Sequence, residues 1–168
     1  MNKPLVAFLI GSAMLVPSTG SAQSDDLADL NPDIIAAVNC AGSLAGLAVT
    51  NYFSDIYNEE RAKDLIYGAN IYAIAVMFNE EDGAHMSKHA DFYEEIQVDA
   101  IDYVINRTNN GDYAWEDQYE IDKCVARMVK VLSSPLPEPM TSEEARKSFR
   151  QQSDARFGLM QEIFKAME

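Results

Sequence analysis

The chain has 168 residues, 48% of them hydrophobic, with 13 Lys and Arg against 27 Asp and Glu and a net charge of −14. A field of that sign makes nucleic acid and anionic lipid poor partners, and a basic protein or a cation a better one. The plainest role for the charge is to keep an exported protein soluble, and the length fits one domain with a sizeable core.

Met1–Lys3 gives a short positive start, Leu5–Val16 an apolar run too short to span a bilayer, and Pro17 a break. Gly20, Ser21 and Ala22 then supply small residues for cleavage. This is the pattern of a signal peptide over 1–22, which predicts a periplasmic or secreted protein and leaves a single helical domain over 23–168. Loss of Lys3 makes that domain one unit more negative than the full chain.

After an acidic lead-in, Asn31 and Pro32 mark a helix start, with Asn as cap and Pro in the first turn. The predicted first helix runs from Pro32 to Phe53. Its stretch from Ile34 to Ser54 carries no charge, so it wants neighbours on most of its circumference. Ile34, Val38, Ala41, Ala45, Ala48 and Tyr52 recur at helical steps, and Gly42 with Gly46 permits a close helix crossing. Asn39 and Asn51 interrupt the apolar run and acids flank it, which argues against a membrane span.

A second helix is expected over Glu59–Asn79, with Glu59 and Glu60 in its first turn and a charge-free run from Leu65 to Asn79. The short link from Ser54 to Asn58 makes the first two helices an antiparallel apolar hairpin at the centre of the fold. Ser87 is the expected cap of a third helix ending near Asn106, with Phe92, Ile96, Ala100, Tyr103 and Val104 facing inward. Asn109-Asn110-Gly111 reads as a turn.

A fourth helix follows over Tyr113–Ser133, with the stripe Trp115, Gln118, Ile121, Val125, Met128 and Leu132. Residues 135–140 form a Pro-rich spacer, stiff and unable to continue a helix. Thr141 and Glu144 fit a capping box for the last helix, whose apolar face is Phe149, Phe157, Met160, Phe164 and Met167. The expected architecture is all-α, a four- to five-helix bundle around a central apolar helical hairpin.

The two cysteines, Cys40 and Cys124, lie on the first and fourth predicted helices. In an oxidising compartment a disulfide between them is the default. It closes a long loop, worth about 4–5 kcal/mol in the chain-entropy treatment.

Candidates for chemistry are few. His85 and His89 share the i, i+4 spacing that lets a helix hold zinc or copper, although no Glu follows the first as in HExxH. Tyr113 and Trp115 stand among acids, where exposed aromatic faces bind sugars or cations, while helical spacing assigns Trp115 to the core stripe. Gly158-Leu159-Met160-Gln161 resembles a short motif of lytic transglycosylases. Glu144 stands where that family has a Ser after its catalytic Glu, so Met160 is read as part of the last helix's stripe. The chain has no GxSxG and no glycine-rich phosphate loop.

These features predict a non-catalytic cell-envelope protein without a cofactor that binds another protein, in the manner of an inhibitor or immunity protein of a basic partner. Tyr113 and Trp115 are its candidate anchors. A zinc- or copper-binding bundle built on His85 and His89 is the second reading, and a cell-wall enzyme with a site assembled across the fold the third.

Overall fold

A computed structural model describes residues 30–80, 88–112 and 115–166. Among these the chain forms six α-helices: α1 (Pro32–Phe53), α2 (Glu59–Glu80), α3 (Ala90–Asn109), α4 (Trp115–Leu132), α5 (Glu138–Thr141) and α6 (Glu143–Ala166). The predicted signal peptide lies outside the described residues, as does the expected cap Ser87.

The charge-free runs do what their composition demands. Asn31 caps α1 by accepting from the Asp33 amide at 2.9 Å. Asn58 caps α2 in the same way, accepting from the Arg61 amide at 2.8 Å. α1 packs on α2, α3, α4 and α6, and twelve of its residues from Ile34 to Thr50 are buried. It is long and apolar enough to cross a membrane and lies near the N-terminus, a combination shared by core helices and signal sequences. Two thirds of its most apolar window is buried inside the bundle.

The glycine pair sets the α1–α3 distance. A methyl at Gly42 would run into the Gln97 carbonyl and come within 2.8 Å of Ala100 Cβ. One at Gly46 would sit 2.9 Å from the Ile101 carbonyl and 3.0 Å from Val104 Cβ. Only two hydrogens in place of two side chains let the backbones approach this closely.

The four- to five-helix expectation is corrected to six helices. The additional one, α5, arises inside the stretch read as a spacer. Proline is excluded from a helix interior but costs nothing in the first turn, where its missing N–H has no helical acceptor. Pro139 occupies that turn after Pro137 at the cap, and Met140, wholly buried, fixes the short helix against α2. The capping box shifts with it. Thr141 Oγ1 donates to the Glu138 carbonyl at 2.8 Å, so Ser142 caps α6, accepting from the Ala145 amide at 3.1 Å.

One disulfide, Cys40–Cys124, ties α1 to α4 with the two Cα atoms 5.4 Å apart across a sequence separation of 84. At the far end of the core Phe53 stacks on Phe164, centroids 4.1 Å apart, and Tyr52 meets Phe157 edge-on.

Candidate functional site

α3 supplies the most distinctive surface. Between Lys88 and Arg107 its only charged residues are Asp91, Glu94, Glu95, Asp99 and Asp102. Asp91, Glu95, Asp99 and Asp102 follow one another at steps of four, four and three and are all exposed, so they form a single carboxylate stripe along the solvent side. Tyr103 stands at the end of the stripe, 54% exposed. The Arg107 guanidinium lies 5.2 Å over its ring and donates to its hydroxyl, while pairing with Asp112 at 2.9 Å.

The rotation of α3 that turns these groups outward is set from below. Gln97, on the inner side, donates through Nε2 to Asn70 Oδ1 of α2 at 3.1 Å. Asn70 Nδ2 donates to Ser153 Oγ of α6 at 3.1 Å. Arg156 of α6 donates through Nη1 to Gln97 Oε1 at 2.5 Å and to Asn70 Oδ1 at 3.4 Å. Asn70, Gln97 and Ser153 are buried, so this chain of hydrogen bonds joins three helices through the core and fixes one register for α3.

The sequence pattern placed Tyr103 inward. The buried residues of α3 are instead Tyr93, Gln97, Ala100, Ile101 and Ile105, a face rotated by about one position. Apolarity misassigned this helix because its inner face carries a glutamine and its outer face a tyrosine.

Burial also tunes the carboxylates. Glu94 is held above the ordinary range mainly by burial, with Asp91 pushing it further up and Arg156 pulling it down. Asp102, exposed as a residue, is raised by partial desolvation of its carboxylate and then by Asp99. Burial lowers the Arg156 pKa and Glu94 opposes it; a guanidinium keeps its proton regardless.

Of the residues singled out from sequence, the structure brings two together. Cys40 and Cys124 form the disulfide. Tyr113 lies outside the described residues; Trp115 opens α4, with its side chain outside them. His85 also lies outside, and His89 is buried just ahead of α3, its ring 6.3 Å from that of Tyr93. Among the described residues no three of His, Cys, Asp and Glu are placed to share a metal. Met160 is buried in the stripe of α6.

The polar chain was missed by sequence reading, though one signal existed. The α6 stripe skips from Phe149 to Phe157, and Ser153 fills the vacant helical step between them. A shallow groove of about 470 Å3 between α2 and α6 is lined by Glu59, Glu60, Lys63, Asp64, Arg150 and Asp154. Its cations are already engaged, Lys63 with Glu59 and Arg150 with Asp64, each at 2.6 Å.

No family model matches the sequence, and no curated protein or solved structure matches it either.

Proposed function

We propose that this chain is a non-catalytic, exported protein that binds a basic protein through the carboxylate stripe of α3, with Tyr103 as its aromatic anchor. The observation that carries the reading is the stripe itself. Like charges three or four apart on a helix destabilise it by about 0.2–0.5 kcal/mol per pair. Asp91–Glu95, Glu95–Asp99 and Asp99–Asp102 are such pairs, with no basic residue between them in sequence. A helix that bears this repulsion, in a register fixed by buried hydrogen bonds, presents a field rather than stabilising itself. The net charge of the chain has the same sign. Export is supported by the charge, apolar run and break of residues 1–22 and by the disulfide, a bond that persists in oxidising compartments.

Tyr103 takes the place that sequence reading gave to Tyr113 and Trp115, because its exposure beside the acids is described. Desolvated aromatics supply most of the affinity at an interface, while surrounding charge sets the encounter rate.

The test is capture from a cell-envelope extract on immobilised protein, followed by binding kinetics with the purified partner. The partner should be basic, and its association should slow steeply with added salt while dissociation changes less. Glu95→Lys with Asp99→Lys should slow association by about tenfold or more at low salt. A partner indifferent to salt and to that charge reversal would discard the proposal. So would reproducible hydrolysis of peptidoglycan by the pure protein, lost on replacing a single carboxylate.

A further inference from the structure

We infer that the Cys40–Cys124 disulfide is a redox latch on one helix: closed, it holds α4 against α1 and α2; reduced, it lets α4 leave as a unit while α1, α2, α3 and α6 stay packed.

The inference rests on how differently the helices are held. α3 is locked onto α1 at the two glycines and buries Tyr93, Gln97, Ala100, Ile101 and Ile105. α6 buries Ala145, Ser153, Phe157 and Met160. From Glu120 to Leu132, the part of α4 with described side chains, no residue is buried. Ile121, Cys124, Met128, Val131 and Leu132 reach the core only partly, and Val129 on the same helix is 54% exposed.

The fit of α4 to α2 is correspondingly loose. A methyl added at Gly68 would lie 3.7 Å from Met128 Sδ and 3.9 Å from Leu132 Cδ1, ordinary contact distances. Where α3 crosses α1, by contrast, there is no room for one. The covalent bond therefore carries a larger share of the attachment for α4 than any single contact does for α3 or α6. Most of a helix's stability in a protein comes from packing of its apolar face, so once detached α4 loses its helical protection as well.

The chemistry is thiol–disulfide exchange with a dithiol. Cys40 is buried at 2% exposure, whereas Cys124 is half-buried, so attack falls on the Cys124 sulfur. The S–S bond breaks, Cys40 departs as a thiolate and takes a proton. The second thiol of the reductant then displaces Cys124, which also leaves as a thiolate and is protonated. Two electrons pass to the protein, and the dithiol becomes its own disulfide. Opening uncovers the apolar cluster around Val38, Ala41, Ala69 and Tyr72, against which α4 packs.

Hydrogen exchange resolved by peptide, on the full chain with and without dithiothreitol, tests this, with thiols counted by mass after alkylation. With two free thiols, amides of 120–132 should exchange at least tenfold faster, while those of α1 and α3 change by less than threefold. Cys124→Ser should reproduce the reduced pattern without reductant. Gly68→Ala should slow α4 exchange several-fold in the reduced protein and leave α3 unchanged. Unchanged α4 protection in fully reduced protein would overturn the latch. Equal loss across α1, α3 and α6 would also overturn it, because the bond would then staple the whole fold.

Discussion

Glycine has opposite consequences at two helical positions of this protein. At Gly42 an added methyl meets a backbone carbonyl, which cannot rotate aside, so Gly42→Ala should cost about 3 kcal/mol or more by overpacking. At Gly68 the same methyl reaches only ordinary contact with Met128 and Leu132. There the lower chain entropy of the unfolded state prevails, and Gly68→Ala should stabilise by about 0.5–1 kcal/mol. Urea unfolding of the two variants beside the wild type checks both signs. Arg156 gives a second contrast. Arg156→Met removes the donor to Gln97 Oε1 and should cost about 2–4 kcal/mol, because a buried acceptor loses its partner. Ser153→Ala, which strips Asn70 Nδ2 of its acceptor, should cost about 1–3 kcal/mol. The same denaturation measurement should find the two losses less than additive in the double variant, since both act on one network.

Among the elements, α1 and α2 were legible because a long charge-free run with caps has few other ways to be buried. α3 was legible in extent and misread in rotation. Its pattern of Phe92, Ile96 and Tyr103 suggested one face, while the glycines of α1 and the Gln97–Asn70–Arg156 contacts selected the neighbouring one. No periodicity rule ranks a glutamine above a tyrosine for the interior, and the partners that make the glutamine acceptable lie on other helices. α5 was hidden by its prolines, which mark a helix start as readily as a break. The orientation of α3 has a measurable pH signature. Glu94 and Asp102 have folded-state pKa values above their unfolded ones, so the folded protein binds more protons than the unfolded chain between those values. Their contribution therefore falls as pH rises through that window and is recovered on acidification toward the ordinary carboxylate range. Thermal unfolding should show the midpoint rising as pH is lowered from neutral toward that range. Glu94→Gln with Asp102→Asn should flatten the rise, and an unaltered profile in the double variant would contradict the assignment.

For the molecule as a whole, 27 acids against 13 Lys and Arg impose self-repulsion that solvent ions screen. Raising ionic strength shortens the Debye length to about 8 Å at physiological salt, so the unfolding midpoint should climb with added sodium chloride before any Hofmeister effect enters. The order of helices along the chain poses a separate problem during synthesis. Among the described helices α1, the most enclosed, is made first, and α6, one of those that enclose it, is made last. The hairpin with α2 can close early, but the Gly42 and Gly46 ridge waits for α3, and the Tyr52–Phe53 end waits for α6. A nascent chain interrupted before α6 carries a finished apolar hairpin with one flank bare. Shielding of that flank by a chaperone, rather than the rate of helix formation, then becomes the step that decides between yield and aggregation.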